Sequence, residues 1–163
     1  MSDIKNMPNQ ADEVTEVNRA QMEHRALWMA LIYDEMLKAG VDAESITRRA
    51  IRRCGQFHGE NIKKRVTGES CVDFKKAFLS DVSIKTFEMK PVNADENSLS
   101  VDFHYCPLVS AWQKLGLDDK TCALLCDMAM EGDRGIAETA GLKFNLIQTI
   151  AQGCPDCKLH FQK

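Results

Sequence analysis

From Leu99 to His104 apolar and polar residues alternate one for one, with Leu99, Val101 and Phe103 set against Ser100, Asp102 and His104. Successive side chains of an extended chain point to opposite faces, so this pattern marks a strand with one face in a core and one in water. Cys157, Leu159 and Phe161 repeat it near the end of the sequence, and Leu142, Phe144, Leu146 and Ile150 give a third alternating run. A sheet with one apolar face needs a second layer to cover it, and the rest of the 163 residues supply helices.

The spacing predicts a long helix over residues 12–39, with Val17, Ala20, Leu27, Trp28 and Leu31 near one face and Gly40 as its stop. Asp42 is placed to cap a second helix over 43–66, where Ile46, Ala50, Cys54, Phe57 and Ile62 keep roughly a helical period. Ser70 with Asp73 resembles a capping box and opens a short helix to about Ser80. Residues 82–90 hold the β-favouring Val82, Ile84, Thr86 and Phe87, which predicts a strand paired as a hairpin, across the polar turn 93–97, with the alternating run. Helices over 107–115 and 119–131 follow, with Asp118 as a cap; Gly132, Gly135 and Gly141 bracket an expected loop; a second hairpin turns at 153–156. The expectation is one α+β domain over residues 12–163, an antiparallel sheet of about four strands covered by helices, preceded by a flexible leader over residues 1–11.

Composition narrows the function classes. The formal charge is −3, unlike that of a strongly basic nucleic-acid binder. No apolar run approaches the roughly 20 residues of a membrane-spanning helix, and the polar start lacks the apolar stretch of a signal peptide. A cytoplasmic protein with no nucleic-acid or membrane partner is expected. Seven cysteines are an odd number, which argues against a disulfide framework in a chain without an export signal.

The chemistry-bearing residues concentrate in the second half. Cys106 precedes Pro107 where a strand gives way to a helix; a helix N-terminus offers free N–H groups to a thiolate, which serves as nucleophile or metal ligand. A buried thiol that merely caps is the competing reading. His104, on the polar face of the strand, has the chemistry of a base, acid or ligand. Cys122 and Cys126 share a helix face, which suits a metal and suits core packing better, and Asp127 follows with Glu131 and Asp133 nearby. Cys154 and Cys157 form a C-x-x-C in a turn, a spacing used by zinc and dithiol sites. A three-thiolate set of Cys106, Cys126 and Cys157, holding a transition metal or an iron–sulfur cluster, is one expectation. Arg48, Arg49, Arg52 and Arg53 make a solvated helix face or a carboxylate clamp. Gly55 and Gly59 inside the second helix signal close approach of another backbone or of a ligand.

Tyr105 to Trp112 (Tyr-Cys-Pro-Leu-Val-Ser-Ala-Trp), Cys126 to Asp133 (Cys-Asp-Met-Ala-Met-Glu-Gly-Asp), Phe144 through Gly153 and Cys157 to Phe161 together resemble the L-2-amino-thiazoline-4-carboxylic acid hydrolase family, over about residues 20–162. The resemblance implies a small α+β enzyme that opens a cyclic amidine with water to give a carbamoyl-cysteine. It carries over Cys106 before its proline, the Cys126–Asp127 pair and Cys157 of the closing strand; Cys122 and Cys154 look like additions of this sequence, and Leu159 stands where an aromatic residue is expected. The expected catalytic set is Cys106, His104 and Asp127, acting by a thiolate nucleophile or a metal-activated water on a small-molecule substrate. The closing pattern also looks like the small-molecule-binding domains related to vinyl reductases, which gives the alternative of a ligand- or metal-binding sensor without catalysis. A homo-oligomer is an open alternative to a monomer.

Overall fold

A computed structural model describes residues 2–163. Its helices are α1 (Glu13–Lys38), α2 (Ala43–Lys63), α3 (Cys71–Phe78), α4 (Asp81–Thr86), α5 (Pro107–Lys114), α6 (Asp119–Ala129) and α7 (Glu131–Ala140). The strands are β1 (Met89–Ala94), β2 (Ser98–Phe103), β3 (Lys143–Gln148) and β4 (Cys157–Gln162). They form one antiparallel sheet in the order β1-β2-β4-β3, and with the helices they make a single α+β domain.

The alternation read from the sequence fixes the sheet's faces. Leu99 lies opposite Phe161 and Val101 opposite Leu159, and all four are buried. Phe161 sits among Phe74 and Phe78 of α3 and Phe144 of β3, with ring centroids 4.9–5.5 Å away, within the range of favourable aromatic contacts. At the other end of the same strand pair Phe103 lies opposite Cys157, three residues before Cys106. The register therefore brings the end of β2 and the start of β4 to one edge of the core.

Three local expectations are corrected. Residues 81–86 are helix α4 and not strand: the Ser80 hydroxyl accepts from Ser83 N while the Ser83 hydroxyl accepts from Ser80 N, and this reciprocal cap outweighs the β preference of Val82 and Ile84. Residues 131–140 are helix α7 and not a loop. Gly132 and Gly135 face α2, where a Cβ on Gly55 would collide with the Gly132 carbonyl oxygen and a Cβ on Gly135 would come within 2.5 Å of the Arg52 carbonyl oxygen. Gly55 thus serves contact between two backbones, and Gly59 makes room for the Thr139 side chain. Gly141, at φ 72°, closes α7 in the left-handed region that glycine adopts without strain.

The third correction concerns which faces of the first two helices are buried. Val17, Trp28 and Leu31 on α1 are 52–62% exposed, and the Ala50, Cys54 and Phe57 side of α2 is exposed as well. The buried side of α1 is Thr15, Arg19, Ala26, Ala30 and Tyr33. Alanine lets α5 approach until Trp112 Nε1 donates to the Ala26 carbonyl at 3.1 Å. Arg19 is tolerated inside because its guanidinium donates to Thr86 O and Asn9 O and pairs with Glu16 and Glu88, its flat face lying 4.6 Å from the Tyr105 ring centre.

Residues 3–11, expected as a flexible leader, carry no helix or strand but are held at several points. Ile4 and Asn6 are buried, and Asp3 N donates to Asp119. Among the described residues no helix is long and apolar enough to cross a membrane.

Candidate functional site

Cys106 is the N-cap of α5, with extended backbone (φ −132°, ψ 111°) and Pro107 following at the first helical position, where a missing N–H costs nothing. Both of its peptide groups are tied to the leader: Asn6 Nδ2 donates to Cys106 O and Cys106 N donates to Asn6 Oδ1, each at 2.9 Å. Its sulfur forms no cap hydrogen bond of full geometry, yet the N–H groups of Leu108 and Val109 lie close enough to favour the thiolate. Burial is the larger influence, and the thiol is pushed up from its ordinary value. Loss of water thus outweighs the help that the helix N-terminus gives the thiolate.

Cys126 and Cys157 belong to the same centre. Cys157, at the start of β4, accepts a hydrogen bond at its sulfur from Ile150 N at 3.2 Å. Burial pushes it far up, and charge on Cys106 or Cys126 would push it further. Cys126 on α6 stands beside the Thr149 hydroxyl; burial, reinforced by Cys106, pushes it up to about 12. The three thiols expected to converge are therefore neighbours electrostatically, and all three favour the neutral S–H form. Among the described residues no group of three or more His, Cys, Asp and Glu side chains is arranged to hold a metal ion. The metal or iron–sulfur expectation finds no fitting ligand set, and no step below passes through such a group.

Cys122 is fully buried with its sulfur 3.9 Å from Leu117 O, burial raising it to about 11. Cys71 is buried, Cys154 half-buried and Cys54 exposed; all seven are free thiols.

The two carboxylates after Cys126 have opposite environments. Asp127 is held by Arg134 and Arg48, each at 2.7 Å, and these pairs keep it below the usual carboxylate range against the contrary pull of burial. Asp133, in the first turn of α7, has no such partner. Although the residue as a whole is half-buried, burial dominates its carboxyl and pushes it up to about 6, with Arg25 and Arg134 only partly opposing. Asp133 and Arg25 both lie near enough to Cys106 to affect its ionisation. An acid poised near neutrality beside a thiol is the arrangement proton transfer needs.

His104 stands elsewhere. It is exposed, its Nε2 is 2.6 Å from Lys90 O, and it lines an open cleft of about 570 Å³ together with Asp12, Arg19, Lys85 and Glu88. A second cleft, of about 580 Å³, runs along the leader past Asn6, Glu23, Tyr105 and Lys114. Neither of these two clefts is lined by a cysteine. Arg48 and Arg52, read as a solvated face or a clamp, are engaged by the protein's own Glu44, Asp127, Glu131 and Glu138.

The sequence reading passed over Asn6, Arg25 and Thr149 and set Asp133 in a loop. One signal for Asp133 was present: small residues four apart at 55 and 59 and three apart at 132 and 135 match as two helix faces that touch. For Asn6 the sequence holds no signal.

Fold and cluster together define a small α+β protein in which three thiols and one unpaired carboxyl influence one another at one end of the two central strands, where α5 and α7 begin and α6 ends. The chain belongs to the L-2-amino-thiazoline-4-carboxylic acid hydrolase family, whose family model matches residues 19–161. That name denotes hydrolysis of a thiazoline carboxylic acid. Comparison with curated proteins and with solved structures finds no match.

Proposed function

We propose that this protein hydrolyses a small cyclic amidine of the 2-amino-thiazoline-4-carboxylate type, with Cys106 as nucleophile and Asp133 as the group that moves the proton. The observation that carries the reading is the pairing of a helix-capping thiol with a carboxyl raised to about 6, inside a family named for this reaction.

The amidine carbon lies between nitrogen and sulfur and becomes electrophilic when the ring nitrogen is protonated. Asp133 takes the Cys106 proton and passes it to that nitrogen as the sulfur adds to carbon. Cleavage of the ring carbon–sulfur bond leaves an isothiourea on Cys106 and releases the substrate's own thiol, which takes up a proton. Water then adds to the isothiourea carbon, Cys106 departs as a thiol, and the product is a carbamoyl-cysteine. The raised thiol of Cys106 fits a nucleophile deprotonated only as substrate closes over it. Arg25, exposed near both groups, suits the substrate carboxylate.

The test follows ring opening of 2-amino-thiazoline-4-carboxylate by the whole chain. Turnover that falls by about 10³-fold or more in Cys106→Ser, a substitution serine suits as an N-cap, supports the assignment. Equal turnover in wild type and Cys106→Ser removes Cys106 from the chemistry, and no turnover in wild type removes this substrate class.

The alternative is a binding or sensing domain without catalysis. It is favoured by one observation: the thiols line neither of the two clefts described. Saturable binding of the thiazoline carboxylate with no product over many hours selects it.

A further inference from the structure

The outward faces of α1 and α2 carry far more apolar surface than this fold uses. Val14, Val17, Trp28, Leu31 and Ile32 on α1 and Phe57 on α2 are 52–66% exposed. Summed over the two helices they leave on the order of 600 Å² of apolar side chain, against the ~800 Å² that each partner brings to a standard interface. The α1 residues are also in line. Val14, Val17, Gln21, His24, Trp28 and Leu31 recur at alternating steps of three and four, the spacing of a helix–helix seam. They lie opposite the face of α1 that holds Arg19, Ala26 and Tyr33 in the core.

Charge selects the occupant. Ion pairs within the subunit engage Arg48 and Arg52 of α2 and Glu16 and Glu23 of α1; beyond these, α2 keeps Arg49, Arg53 and Lys63 against Glu60, none of them in an ion pair among the described residues, while α1 shows the exposed Glu13, Asp34 and Glu35 against Arg25 and Lys38. Arg53, next to Cys54 on the exposed side of α2, makes no ion pair among the described residues. A two-fold axis brings the same patch of two subunits together, so an acidic helix beside a basic one complements its own copy.

We propose that the joint outer face of α1 and α2 is the interface of a homodimer, with α1 of one chain laid against α2 of the other. The inference is independent of the chemistry at Cys106. It also accounts for the sequence pattern, because the apolar stripes of both helices are real and their missing partner is a second chain.

Sedimentation and light scattering of the full chain test it, read together with alkylation of Cys54, which the proposed interface covers. The wild type is expected at twice the chain mass, with Cys54 alkylated about 10-fold or more slowly than in a dissociated variant. Trp28→Glu and Phe57→Glu, both at exposed positions, are expected to give folded monomers with fast Cys54 reaction. Arg53→Glu, which leaves the apolar residues in place, is expected to weaken the dimer and serves if the other variants fold poorly. A wild type that sediments as a monomer at roughly 100 μM overturns the proposal. So does a dimer that persists in Trp28→Glu with Cys54 alkylated at the wild-type rate. A monomer whose face binds lipid vesicles or another protein also overturns it.

Discussion

Asn6 hydrogen-bonds both the N–H and the C=O of Cys106, a residue one hundred positions along the chain. Both partners are buried, so the pair closes the peptide group that begins α5. Asn6→Ala leaves the buried Cys106 N–H unpaired and the Cys106 carbonyl with the Ser110 N–H alone, which is expected to cost about 1–3 kcal/mol in urea unfolding and to lower ring opening through misplacement of Cys106. A variant with unchanged stability would show that water replaces the asparagine.

The helix seam predicts two glycine substitutions of opposite sign. Gly55→Ala gains helix propensity but drives a methyl into the Gly132 carbonyl, so a net loss of about 2 kcal/mol or more is expected. At Gly132 the nearest atom to an added methyl is Ile51 Cγ2 at 3.7 Å, an ordinary contact, so Gly132→Ala is expected to be neutral or to stabilise by up to about 1 kcal/mol. Thermal unfolding of the two variants side by side decides it.

The two acids of the site should separate by pH. The Asp133 carboxyl is raised to about 6 when folded, so the folded state binds the extra proton in the window from about pH 4 to 6. Its contribution to stability is greatest below that window and falls as pH rises through it. Asp133→Asn is therefore expected to be more stable than wild type at pH 7.5 and close to it at pH 4, and to lose about 10²-fold or more in turnover. Asp127→Asn should instead keep turnover and lose about 1 kcal/mol or less, since its partners Arg48 and Arg134 are partly solvated. Unfolding curves at the two pH values, with turnover of both variants, check this.

The thiol cluster predicts low reactivity without substrate. Burial raises Cys106, Cys126 and Cys157, so at pH 7 all three should resist an aromatic disulfide reagent in the native state and react once the protein is unfolded. Mass spectrometry of the labelled peptides reports each position. Fast native reaction at Cys106 would mean that its thiolate exists before substrate arrives.

Much of the fold was legible because the sheet obeys a local rule. Leu99, Val101, Leu159 and Phe161 alternate with polar neighbours, and that period alone sets strand, face and partner layer. Cys106 was legible for the same reason, as a cysteine before proline at the end of such a strand. What escaped depended on contacts distant in sequence and, at α4, on a local cap that outweighs β preference. Gly132 and Gly135 read as loop residues until α2 is seen against them, and Val82 and Ile84 read as strand until the Ser80–Ser83 cap is counted. Asp133 and Asp127 differ in how deeply the carboxyl is buried and in whether an arginine pairs with it, which no local pattern records.

The glycine seam has a mechanical consequence. Where two helices touch through side chains, rotamer changes let them slide and breathe; α2 and α7 touch main chain to main chain and have no such slack. Asp133 is therefore mounted on the stiff wall of the molecule, while Cys106 hangs from the extended segment that holds Asn6. A ligand that enters between them is therefore expected to shift Cys106 and Asn6 before it shifts the α2–α7 seam.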